Sequence, residues 1–125
     1  MIENGFVYTH DSSNIHHIVL QDVRQPTINA FAVQLKEIVK DTPTTDLIRL
    51  LLVAPGVPPI QQMVAHVQDI KATYPKRALA RIALVYSPSI QLSFLDIITR
   101  SIVRSSTLML FPQKDEAKAY QWLLQ

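Results

Sequence analysis

The side chains of this chain that exchange protons near neutrality are its histidines, and they stand at His10, His16, His17 and His66. The chain has no cysteine. Thiol nucleophiles, CxxC redox chemistry, Cys-ligated zinc and iron–sulfur clusters are therefore excluded, and any metal or general-base chemistry falls to the imidazoles. His16 and His17 are adjacent in a β-prone run, so they point to opposite faces and cannot share a metal. Hairpin pairing brings His10 toward one of them, but two imidazoles without a carboxylate at fixed spacing make a poor zinc site. No metal and no cofactor is expected, and the histidines are read as solvent-facing or hydrogen-bonded.

Nucleophilic catalysis needs a serine on a tight elbow, and no GxSxG occurs. Ser87-Pro88-Ser89 follows an apolar run that ends at Tyr86, which is where open α/β sheets bind ligands, beyond the carboxyl ends of their strands. Either hydroxyl equally caps the helix expected next. With only 2 glycines, Gly5 and Gly56, neither a P-loop nor a GxGxxG can be written. Lys71, Lys76, Arg77 and Arg81 form the one basic concentration. Lys71 and Lys76 complement the negative end of a helix, Arg77 and Arg81 read as solvated charge, and Lys76 with Arg77 is the candidate contact for an anionic headgroup. The 12 Lys and Arg against 10 Asp and Glu give +2, with both signs interspersed. A nucleic-acid footprint would need clustering, so no nucleic-acid partner is expected.

These groups must be positioned by a chain of 125 residues that is 48% hydrophobic and 18% charged, which fits a single domain over 1–125. Phe6 to His10 and Ile15 to Leu20 are short β-prone runs separated by the turn cluster Asp11-Ser12-Ser13-Asn14, which predicts an antiparallel hairpin. From Ile28 the period changes to that of a helix, with Ile28, Phe31, Ala32, Leu35, Ile38 and Val39 on one face. Thr27 is expected to cap its start and Thr42-Pro43 to end it. Leu47 to Ala54 reads as a strand buried on both faces. Pro58-Pro59 opens a second helix with Ile60, Met63, Val64, Val67, Ile70 and Tyr74 on its apolar face. Ala80 to Tyr86 is the next strand, a third helix runs to about Arg104, and Thr107 to Phe111 is a last buried strand. Asp115 to Leu124 closes the chain as a helix with Ala117, Tyr120 and Leu124 on one side. The fold class is therefore α/β: an N-terminal β-hairpin, then alternating helices and strands, giving a mostly parallel sheet of four or five strands with about four helices.

This order, with Leu51-Leu52-Val53-Ala54-Pro55-Gly56-Val57, Ala80-Arg81-Ile82-Ala83-Leu84-Val85 and the ending Phe111-Pro112 before Asp115-Glu116-Ala117 and Trp122-Leu123-Leu124, resembles the STAS fold of sulfate transporters and anti-sigma-factor antagonists. The likeness is greater to its stand-alone branch grouped with Sec14 domains. The resemblance implies a small binding or interaction module, often oligomeric, that engages apolar ligands or membrane surfaces. Its regulatory members carry a phosphorylatable Ser or Thr at the helix start after the third strand. Here Gly56 to Met63 offers Gln61 and Gln62, and no Ser or Thr occurs from Ala54 through Ala72, so that switch does not carry over.

The expected third helix is apolar over an unusually wide arc. Phe94, Leu95, Ile98 and Ile102 suffice to pack it, yet Ile90, Leu92, Ile97 and Val103 lie beyond them, leaving only Ser93, Asp96, Arg100 and Arg104 as a polar strip. These four extra apolar residues are read as a surface for a second subunit, an apolar ligand or a membrane. The resulting expectation is a non-enzymatic binding or regulatory module, a homodimer with a protein partner or apolar ligand and with peripheral membrane contact in reach. The alternative is a small hydrolase or transferase that uses the loops at the carboxyl ends of the parallel strands. No secretory leader pattern opens the chain and no aliphatic run approaches the roughly 20 residues of a membrane span, so the expected location is cytoplasmic.

Overall fold

The computed structural model describes residues 5–56, 60–87 and 106–125. Five strands, β1 (Phe6–His10), β2 (Ile15–Leu20), β3 (Leu47–Ala54), β4 (Leu79–Tyr86) and β5 (Ser106–Pro112), form one sheet in the order of the chain. β1 pairs antiparallel with β2, and every later pairing is parallel. Among the described residues there are three α-helices: α1 (Gln25–Asp41), α2 (Ile60–Thr73) and α3 (Glu116–Leu124). This is the expected α/β class with one helix fewer than the four anticipated. The segment assigned to the remaining helix, with Ile90, Leu92, Ile97 and Val103, lies outside the described residues.

The hairpin turn owes its shape to Asp11 and Asn14. Asn14 adopts φ 62°, a left-handed conformation that asparagine tolerates. Asp11 Oδ1 accepts the backbone N–H groups of Ser13 (2.9 Å) and Ile15 (3.0 Å), which closes the turn without a glycine.

In-order parallel strands joined by right-handed crossovers put successive helices on one face of the sheet. That face packs Ile18, Leu20, Leu50, Leu52 and Leu84 against Ile28, Phe31 and Ile38 of α1, with Met63 of α2 at its edge. Fully burying one such side chain is worth about 1.5–3 kcal/mol. The two helices also meet through polar groups, since Asn29 Oδ1 accepts both Gln62 Nε2 (2.7 Å) and His66 Nε2 (3.0 Å) and Lys36 pairs with Asp69.

Three local expectations are corrected. Thr27 does not cap α1, which begins earlier at Gln25, with Pro26 in its first turn and Arg24 as a cap lacking a side-chain bond. The Thr27 hydroxyl, in a buried residue, instead donates to Asp22 Oδ1 (2.6 Å), and Asp22 also accepts the Arg24 N–H (3.0 Å). The last helix does not use Ala117 and Leu124. The helix follows a 3₁₀ turn at Gln113–Asp115, and Ala119 and Leu123 are its buried pair, packed on Leu51, Ala83 and Val85 of the opposite sheet face.

Nor is Arg81 free solvated charge. Arg81 Nη1 donates to the Gln125 carbonyl (2.6 Å) with its guanidinium 4.3 Å from the Trp122 ring centre, and Arg49 Nε donates to the Leu123 carbonyl (2.8 Å). Arg49 and Arg81 are register partners on adjacent strands, so two cations arrive together at the end of α3, where unpaired carbonyls and the helix dipole favour them. Toward the hairpin the same face is thinly covered, and Val7 and Val19, cross-strand partners, stay 40% and 37% exposed.

Candidate functional site

The register of the hairpin sets His10 opposite His16, and alternation puts Tyr8 on the same face. The two imidazoles stack with centres 4.0 Å apart and planes 15° from parallel, and Tyr8 lies diagonal to His16 with its hydroxyl 2.8 Å from Nδ1. Burial, first, and then the proximity of His10 push the His16 pKa down to about 4, so this ring is neutral at ordinary pH. Burial and the charge of Asp41 raise the Tyr8 phenol, which keeps its proton. The phenol is therefore assigned as donor to Nδ1, which leaves the proton of His16 on Nε2. His10 is held in turn by Asn14, Nε2 to Oδ1, at 2.6 Å.

This pair forms one wall of an open cleft of about 580 Å³ between the hairpin and the C-terminal half of α1. Ile38 and Leu47 add apolar floor, and the exposed carboxylates of Glu37, Asp41 and Asp46 lie around it, with no Lys or Arg among its lining residues. Glu37 and Asp41 are four apart on α1 and so share a helix face. Asp46 comes from the connection to β3, whose N–H bond to the Pro43 carbonyl (2.9 Å) folds it back toward the helix end. The cleft sits at the amino-terminal ends of the parallel strands, away from the carboxyl-end position expected for a ligand.

His17 points to the other face, where it meets a second polar node. Asp11 Oδ2 accepts His17 Nε2 (2.9 Å) and the Tyr120 hydroxyl (2.8 Å), while Oδ1 holds the turn. Partial burial raises this carboxyl, but the bonds from Ile15, His17, Tyr120 and Ser13 outweigh it and hold Asp11 well below the usual carboxylate range. His10 and His16 are thus brought together, and His17 and His66 are kept apart from them.

The basic candidates do not converge on any of this. Lys76 is exposed beyond α2, and Arg77 Nη1 donates to the Tyr74 carbonyl (3.1 Å). Ser87 lies at the carboxyl end of β4, and Ser89 is outside the described residues. Among the described residues no group of three or more His, Asp or Glu side chains is placed to hold a metal ion, and no helix is long and apolar enough to cross a membrane. Sequence reasoning missed Tyr8, Glu37, Asp41 and Asp46. The four-residue spacing of Glu37 and Asp41 was a legible signal of a shared helical face, but nothing local tied that face to the hairpin. Comparison with protein-family models, with curated proteins and with solved structures finds no match to this chain.

Proposed function

We propose that this protein is a non-enzymatic binding or regulatory module of the STAS/Sec14-like kind, which acts as a homodimer and recognises a protein partner or an apolar ligand without turning it over. One observation carries the reading: each histidine side chain has a hydrogen-bond partner within the chain. His16 is bound by Tyr8 and stacked on His10, His10 is bound to Asn14, His17 to Asp11, and His66 to Asn29. A general base must reach the proton it removes, and these imidazoles are committed to holding a hairpin turn, a sheet face and a helix pair. Gln62, from the segment where regulatory relatives keep their hydroxyl, likewise binds the Gln25 carbonyl (3.0 Å) and Asn29. Ile90, Leu92, Ile97 and Val103 are the partner-facing residues in this reading, and Lys76 with Arg77 is its contact for an anionic headgroup.

Native mass spectrometry of freshly purified protein, with a broad esterase, phosphatase and transferase screen, tests it. The expected result is a dimer that dissociates, or sheds its ligand, on Ile97→Asp, and no turnover. Robust turnover that disappears in Ser87→Ala or His66→Ala overturns it.

A further inference from the structure

We propose that the cleft between the hairpin and α1 is a binding site for a small organic cation, an alkylammonium whose charge sits among the rim carboxylates and whose hydrocarbon lies on the ring-lined floor. The inference rests on the reading of this chain as a binding module and names a ligand class for a site which that reading does not assign. Charge is the first argument. Glu37, Asp41 and Asp46 contribute three negative groups, no Lys or Arg lines the cleft, and His16, the most deeply buried polar group in it at 8% exposure, is neutral. An anionic ligand is opposed by all three carboxylates. A wholly apolar one would strip water from them with nothing in exchange.

The floor supplies the second argument. The Tyr8 ring offers a π face, which attracts ammonium groups, the stacked pair His10 and His16 adds an uncharged edge at His16, and Ile38 and Leu47 accept methylenes. The volume of about 580 Å³ lies within the roughly 300–1,000 Å³ typical of small-molecule sites. A divalent metal ion fits less well, because it needs several ligands converging on one point, and no such group of three exists among the described residues. An amine needs only charge nearby and a surface for its carbon chain.

Calorimetric and amide-NMR titration with putrescine, a linear diamine, tests the site against butanediol, its neutral analogue, and magnesium chloride. Putrescine should bind saturably and shift the amides of Tyr8, His10, His16, Glu37 and Asp41. Butanediol should bind at least about tenfold more weakly, and equimolar magnesium should not displace the diamine. The triple variant Glu37→Gln, Asp41→Asn, Asp46→Asn changes only exposed side chains, so its circular dichroism should match the wild type while putrescine affinity falls about tenfold or more. Equal binding of butanediol, displacement by magnesium, shifts centred elsewhere, or undiminished binding by the folded triple variant each overturns the proposal. Chemical conversion of the bound amine would refute the non-enzymatic reading and leave the site standing. Absence of putrescine binding in a protein that shows no turnover refutes the site alone.

Discussion

Tyr120→Phe should loosen the C-terminal helix from the N-terminal hairpin, because the hydroxyl it removes is the α3 group bonded to Asp11. Deleting a hydrogen bond to a charged group typically costs about 1.5–3 kcal/mol. The Asp11 side chain is 28% exposed, so water replaces part of what is lost and the lower end of that range applies. Asp11→Ala removes the acceptor for Ser13, Ile15, His17 and Tyr120 together and should cost more than Tyr120→Phe, up to about 6 kcal/mol if each of the four bonds counts at the lower end of that range. Urea denaturation of the two single variants and the double variant isolates the pair, with an expected coupling of about 1–1.5 kcal/mol. Acidity supplies an independent control. The folded carboxyl titrates below the unfolded value of about 3.9, so its stabilisation is complete above that value and is lost as pH falls through the folded one. The coupling should therefore persist at about pH 3, where an ordinary aspartate is mostly protonated. Coupling under about 0.3 kcal/mol at neutral pH, or coupling already lost at about pH 3 in the folded protein, would refute the view that this carboxylate ties the two ends of the chain together.

Three further perturbations separate the other structural arguments. Arg49→Met leaves the Leu123 carbonyl without its donor and should cost about 2 kcal/mol in urea denaturation; Arg81→Met should cost less and shift Trp122 fluorescence, because that guanidinium lies over the indole. Gly5→Ala should destabilise by more than about 2 kcal/mol, since Gly5 has φ +79° and an added Cβ collides with the Thr27 side chain, whereas Gly56→Ala should be mild, its nearest neighbour being Val23 at 3.6 Å. His16→Phe should flatten the acid limb of stability. The folded pKa of about 4 lies below the unfolded value of about 6.5, so as pH drops between them the unfolded chain takes up a proton that the folded chain refuses, a loss on the order of 2–3 kcal/mol that Phe cannot show.

The order of the described strands and helices was legible because each of these elements carried a period and a boundary residue of its own. Leu47–Ala54 was read to the residue, and the hairpin likewise, since the apolar runs and the Asp11–Asn14 turn cluster leave little choice of register. Errors fell where a tertiary contact outweighs a local rule. Thr27 has the composition of a helix cap, but Asp22 lies five residues back and captures its hydroxyl, so the cap function passes to backbone geometry at Arg24. The face of the last helix was misjudged because a short helix allows more than one apolar stripe. Which one is used depends on the sheet residues it meets and on the two arginines that receive its end.

The cleft was illegible for a related reason. It joins residues 8–16 to residues 34–47, and neither stretch taken alone contains a motif. Read singly, Glu37 and Asp41 are the solvated face of an amphipathic helix and Tyr8 is one more half-buried strand residue. Parallel topology makes them neighbours: the crossover from β2 must return to the amino-terminal end of β3, so the last turns of α1 and the connection after it arrive beside the start of β2, where hairpin pairing has already set His10 against His16. The usual expectation for open α/β sheets looks to the carboxyl ends, where helix N-termini supply positive dipole ends and suit anions. At the amino ends the helix C-terminus supplies the negative end of its dipole. In α1 that end carries Asp41, which adds to the dipole and lines the cleft, beside Lys40, which does not line it. A cation site at this end of the sheet is thus a consequence of where the crossover helix stops, and the acidic residues at 37, 41 and 46 reinforce a preference that the topology had already set.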